Sequence, residues 1–173
     1  MKKLLGLALM LAAPLCAQTP ATSDPWKALS FLEGTWEAKT QSGPAAASGS
    51  YTFQLELDKH ILARHSTTDP GCKGPATYDC AHSDLLYVYE EAQGQPDKPL
   101  KAIYFDNEGH VLHYSVSAPD ATTAVFLTDP AAPGPQFKLV YELKGQVMTG
   151  KFQMKMPGQA DWKSYLEWSG GKK

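Results

Sequence analysis

Apolar and polar residues alternate with a period of two along most of this chain. Tyr51, Phe53, Leu55 and Leu57 alternate with Thr52, Gln54, Glu56 and Asp58, which predicts a strand with one apolar face. Asp58-Lys59 reads as a turn, and the segment 61–67 as the returning strand. The segment 85–89 is apolar on both phases and is expected to be covered on both faces. Residues 100–105 lead into Asp106-Asn107-Glu108-Gly109, a hairpin turn answered by 111–116. Residues 122–127 form the next strand, and the Pro/Gly/Ala-rich segment 129–135 a loop. Phe137, Leu139, Tyr141 and Leu143 share one phase of the following strand. Lys144-Gly145 turns the chain into 147–156, which carries Phe152, Met154 and Met156 on one phase. Trp162, Ser164, Leu166 and Trp168 share a phase of the last strand, and the tail 170–173 is expected to fray. About ten strands joined mostly by short turns form a meander, and closing it into a barrel removes its edges.

Before this ladder the period differs. Asp24 suits an N-cap and Pro25 a first helical position, and Trp26, Leu29 and Leu32 would share one face of a short helix. Earlier still, Met1-Lys2-Lys3 is basic and 4–15 is apolar but too short to span a membrane. Residues 1–17 therefore read as a signal peptide, followed by a flexible leader over 18–23 and one barrel domain over 24–170. Cys16 offers lipid anchoring as an alternative, although Leu15 departs from the small residue that such processing prefers. The expected location is periplasmic or extracellular. No transmembrane segment is expected in the mature chain.

With 16 basic and 18 acidic residues, charge is nearly balanced and no basic stripe occurs. Nucleic acid and anionic membrane surfaces are thus not expected as partners, and the pattern leaves oligomeric state open. Cys72 and Cys80 enclose a turn-rich loop and, in an oxidising compartment, read as a disulfide. His65 and His82 flank the pair, but the spacing matches no familiar zinc pattern, and no metal is expected.

Leu29-Ser30-Phe31-Leu32-Glu33-Gly34-Thr35-Trp36, at the head of the meander, resembles the opening of calycin-like barrels. These include the lipocalins, the fatty-acid-binding proteins and the nitrobindin-like haem-binding barrels, and the wording looks most like secreted bacterial domains of unknown function in that group. The resemblance implies an antiparallel up-and-down barrel whose tryptophan, Trp36, closes the floor. Nitrobindin-like barrels ligate haem through a late histidine, whereas the last histidine here is His113; haem is discounted and no cofactor is expected. Lipocalins often place an arginine from the last strand over the tryptophan, but the only arginine here is Arg64.

Candidate chemistry is sparse. His110 and His113 are separated by an odd number, so only one could face a barrel interior. Arg64, His65, Ser66 and Thr67 read as a solvated strand end. No nucleophile elbow, zinc-protease motif or phosphate loop occurs, and no catalytic residue is assigned. The interior is expected to be lined by Trp36, Tyr51, Phe53, Tyr87, Tyr89, Phe105, His113, Tyr141, Phe152, Met154, Trp162 and Trp168. Buried hydroxyls need partners, so this set suits a partly polar cavity as well as an aromatic core. The leading expectation is an exported barrel that binds a small apolar or amphipathic molecule. The alternatives are a barrel isomerase or hydrolase using an interior histidine with tyrosine, and a solid-core envelope protein.

Overall fold

The structure, a computed structural model, describes residues 24–76, 80–91 and 98–173. The chain is all-β apart from a 3-10 helix over Lys27–Leu32. The ten strands are β1 (Gly34–Ser42), β2 (Ser48–Glu56), β3 (Ile61–Thr68), β4 (Ser83–Glu90), β5 (Leu100–Asp106), β6 (Val111–Asp120), β7 (Thr123–Thr128), β8 (Gln136–Lys144), β9 (Val147–Lys155) and β10 (Lys163–Gly171). Each pairs antiparallel with its chain neighbour, and β10 pairs with β1 to close the barrel. This architecture fits a calycin-like barrel. Among the described residues, no helix is long and apolar enough to cross a membrane. The expected signal peptide and leader fall outside the described residues.

The short helix is 3-10 rather than α because its apolar residues recur every third position. Trp26, Leu29 and Leu32 are all buried, and a three-residue period stacks them on one side. Asp24 accepts the Trp26 backbone N–H at 2.9 Å, and the Trp26 indole donates to the Lys59 carbonyl at 2.7 Å. The helix is thereby fastened to the β2–β3 turn, where Leu57, Asp58 and Lys59 all have positive φ. Leu57, expected on the apolar phase of β2, sits in that turn and is 71 % exposed.

Trp36 lies at the end of the barrel beside the 3-10 helix. It is buried, and its indole N–H donates to the Leu32 carbonyl at 2.8 Å. Gly34 has φ +114, and a Cβ there would lie 2.3 Å from Lys172 Cε. The missing side chain lets Lys172 reach over the Trp36 ring, 5.4 Å from its centroid. A cation from the end of the chain thus covers the tryptophan, supplied by lysine instead of arginine. The tail does not fray: Trp36 bridges to Lys172, and the Lys173 N–H donates to the Thr35 carbonyl at 2.8 Å.

Cys72 and Cys80 form the expected disulfide, with Cα atoms 5.4 Å apart. Replacing both by serine is expected to cost about 2–3 kcal/mol in urea unfolding, because a loop this short removes that much denatured-state entropy. An unchanged midpoint would show that the loop gains nothing from closure.

Candidate functional site

Arg64 is buried in the barrel wall. It does not sit at a solvated strand end. It lies on the inward phase of β3 with Leu62 and is only 4 % exposed. One guanidinium Nη donates to the Tyr141 hydroxyl on β8, and the other forms an ion pair with Asp84 on β4. Asp84, 9 % exposed, shares the inward phase with Leu86 and Val88. Burial is the largest single influence and opposes the Arg64 charge, but Asp84 together with Tyr141 and Tyr104 more than offsets it and holds the guanidinium above its ordinary pKa. Burial likewise works against the Asp84 carboxylate, and Arg64 with His82 more than offsets it, so that its pKa is lowered.

The polar chain continues to the rim away from Trp36. His82 Nε2 lies 3.3 Å from Asp84 Oδ2 and 3.3 Å from the Tyr104 hydroxyl, while Nδ1 lies 3.1 Å from Glu108 Oε1. The Tyr104 hydroxyl donates to Asp106 Oδ2 at 3.1 Å. Asp106 Oδ1 accepts the backbone N–H groups of Glu108 and His110, which shapes the expected hairpin turn. His110 itself is exposed and pairs with Asp106 at 2.9 Å. A cleft of about 410 Å³ at this rim is lined by His65, Asp84, Phe105 and Asp106, among others.

His82 faces carboxylates at both ring nitrogens, so its imidazolium form is favoured and its pKa is raised; the hydrogen bond to Asp84 is the largest cause. A raised histidine stabilises the fold fully below its unfolded value, about 6.5, and that contribution is lost as pH rises through the higher folded value. The lowered Asp84 acts in the opposite sense: its contribution holds above the unfolded carboxylate value and is lost as pH falls through the lower folded one. Stability is therefore expected to decline as pH rises above the ordinary histidine range, and His82→Gln should flatten that decline. Urea midpoints between pH 5 and pH 9 check this; equal slopes for the two proteins would refute it.

His82, Asp106 and Glu108 offer ligand atoms within 4.8 Å of one another. Hydrogen bonds within the cluster already occupy these groups, so their proximity has an explanation without an ion. A larger cleft, about 1240 Å³, lies beside the 3-10 helix and is lined by Trp26, Gly34, Gln54 and His60, among others.

The expected lining residues divide into two groups. Trp36, Tyr51, Phe53 and Tyr141 are buried inside, with Phe152 and Trp168 packed against that core. Met154 keeps the inward phase of β9, half-buried near its end. Tyr87 and Tyr89 do not line the interior, because β4 buries the other phase: Asp84, Leu86 and Val88. The expectation that this strand is covered on both faces is corrected in the same way. Phe105 is 38 % exposed and stands outside beside its register partners Leu85 and Val111, while Ala102 and Tyr104 take the inward phase of β5. His113 is exposed, since β6 turns Leu112, Tyr114 and Val116 inward. Trp162 is also outside, between the ammonium groups of Lys138 and Lys155 at 4.5 and 5.1 Å from its ring centroid.

The interior group converges on Tyr141. Its ring centroid lies 5.6 Å from Tyr51, 5.3 Å from Phe53, 6.2 Å from Phe126 and 5.9 Å from Trp168. Trp168 fits because Gly150 stands opposite; a Cβ on Gly150 would come within 2.1 Å of the indole. Burial pushes the Tyr141 hydroxyl up to about 12, so it is neutral throughout the physiological range. Three buried polar atoms around it make no well-formed hydrogen bond among the described residues: Arg64 Nε, and the Tyr51 hydroxyl and Trp168 Nε1, which lie within reach of each other. Buried polar groups in native proteins are nearly always satisfied, so three together call for an explanation.

No family model matches the chain, and no curated protein matches it. Among solved structures, one described as EF1p2_mFAP2b bound to DFHBI is similar over 85 % of this chain and 98 % of that one, with a TM-score of 0.36 and 10 % identity. A likeness this distant carries no argument about what the barrel holds.

Proposed function

We propose that this protein is an exported barrel that binds a small apolar or amphipathic molecule in its interior. The observation that carries the reading is the trio of buried polar atoms without a well-formed hydrogen bond, Arg64 Nε, Tyr51 Oη and Trp168 Nε1, set among aromatic rings. A solid core gains nothing from leaving such groups unpaired, since each costs about 1–3 kcal/mol. A site that receives a ligand keeps them for it. The Cys72–Cys80 disulfide supports export, because such bonds persist in oxidising compartments.

No histidine among the described residues stands on an inward strand phase, which takes away the main support for the enzymatic alternative. His82, at the rim, reaches Tyr104 and Asp84, but carboxylates face both of its ring nitrogens, favour its charged form and occupy the positions at which a base would take a proton.

The test is mass spectrometry of the protein under native conditions and after denaturing extraction. A stoichiometric small molecule, released on unfolding, is the expected result. Protein that emerges empty, and that binds nothing from a panel of small aromatic and aliphatic probes, would overturn the reading.

A further inference from the structure

The rim away from Trp36 has a second side, formed by β8, β9 and β10. Phe137 and Phe152 stack there with ring centroids 5.6 Å apart and planes nearly parallel. Tyr165, in the bulge of β10, meets Phe152 edge-on at 6.2 Å. Both phenylalanines are only half-buried, Tyr165 is 48 % exposed, and Met156, just after β9, is 42 % exposed. Trp162 stands beside them on the outer face. Single exposed apolar side chains need no explanation, but a group gathered at one end of a barrel does.

The same corner gathers cations. Lys138 and Lys155 hold their ammonium groups against the Trp162 ring, and Lys163 follows Trp162 in the chain. Lys151 pairs with Glu167 at 2.9 Å, but among the described residues no carboxylate pairs with Lys138, Lys155 or Lys163. Burial, and after it Lys151 and Lys155, pulls the Lys138 pKa below its ordinary value. Against these lysines stand only Asp161 and Glu167, on a chain whose net charge is −2. The near balance over the whole chain hides the surplus, because register gathers it: Lys138 lies opposite Gln153, between Lys151 and Lys155. Across the rim, Asp106 and Glu108 carry the opposite sign.

We infer that this corner of the rim docks onto an anionic lipid bilayer. Met156, Trp162 and Tyr165 enter the headgroup region, and Lys138, Lys155 and Lys163 meet lipid phosphates. The chemistry suits that surface. Tryptophan and tyrosine settle at the boundary of apolar and wet regions, and lysine lays its stem on apolar surface while its ammonium stays in water. Both clefts described above lie elsewhere on the barrel. A few protruding side chains ringed by cations suffice for a fluid anionic surface, whereas a specific protein interface takes about 800 Å² from each partner. The acidic side of the rim faces away, so the barrel sits tilted. This docking is independent of what the interior holds.

Vesicle sedimentation of the processed protein at about 0.1 M salt tests it. Vesicles of phosphatidylglycerol and phosphatidylcholine in equal parts should carry the protein down, and vesicles of phosphatidylcholine alone should not. K138Q/K155Q is expected to weaken binding about twenty-fold, from roughly five-fold per lysine near the surface. Trp162→Ser should also weaken it. K27Q/K144Q removes the same charge from the Trp36 end and should leave binding unchanged. Circular dichroism of each variant confirms the fold. Failure to sediment with anionic vesicles, equal sedimentation with both kinds, or equal losses in the two double variants would each overturn the docking. Any of these leaves the ligand reading standing.

Discussion

Replacing Arg64 by methionine is expected to destabilise the protein by about 3–5 kcal/mol, the range for breaking a buried ion pair by removing one member. The loss exceeds what the pair itself contributes. Methionine nearly fills the arginine's volume, so little of the effect is a cavity. Most of it is Asp84, left in the wall of the barrel with His82 as its remaining counter-charge. Tyr141 loses its hydrogen bond at the same time. Because an unpaired buried carboxylate takes up a proton more readily, the Asp84 pKa rises toward and past its ordinary value in the variant. The deficit should therefore be largest at neutral pH and shrink as pH falls. Urea denaturation at pH 7 and pH 4.5 reads both quantities. The double variant R64M/D84L, which removes both charges, should recover most of the stability, since two apolar side chains need no counter-charge. If R64M at pH 7 costs less than about 1 kcal/mol, or if D84L does not rescue it, the pair is not the support that its geometry indicates.

The same pair shows what was legible in the chain and what was not. The meander, its turns and the closing tryptophan follow from a two-residue period and from glycine placement, both local properties. Arg64 and Asp84 break that period on their own strands: each occupies a position where the phase calls for an apolar residue, beside Leu62 and below Leu86. Read singly, an arginine followed by His65, Ser66 and Thr67 looks like a strand running into solvent. Only the cross-strand register, with Arg64 opposite Leu86, brings the two exceptions within reach of each other. Two opposite charges breaking the pattern on adjacent strands was the available signal. His82 gave no comparable signal, because it precedes β4 and reaches its partners through a turn.

The misplaced aromatics have a second cause. Tyr87, Tyr89 and Phe105 lie on strands whose two phases are both apolar, so period alone cannot choose a face. Trp162 and Trp168 share a parity and would share a face on a regular strand. The register of β10 shifts between Ser164 and Leu166. Such a bulge turns every later side chain to the opposite face, which leaves Trp162 outside with the lysines and carries Trp168 inside. Nothing in the local sequence marks that shift. It is a property of how β10 must fit between β9 and β1 while closing the barrel.

Trp36→Ala is expected to cost about 3–5 kcal/mol, the usual loss for removing a large buried aromatic. The residue joins three parts of the chain that are far apart in sequence. Its indole N–H holds the Leu32 carbonyl at the end of the 3-10 helix, its ring lies under Lys172 from the C-terminus, and its backbone pairs with Tyr51 on β2. Alanine empties the floor and removes the contact that orders both termini of the domain. The effect should separate into parts. Trp36→Phe keeps much of the apolar face and removes the N–H, so it should cost about 1–2 kcal/mol, most of it from the orphaned Leu32 carbonyl and the smaller ring. Lys172→Met keeps the stem that crosses Gly34 but removes the charge above the ring, a cation–π contact worth about 0.5–1 kcal/mol at a site open to water. Gly34→Ala acts on the same contact from below: its Cβ would collide with the Lys172 stem, and its positive φ is unfavourable for alanine. Combined with Trp36→Ala, the Lys172 substitution should add almost nothing, because its partner is gone. Additive losses in that double variant would mean that Lys172 stabilises the barrel through something other than the tryptophan beneath it.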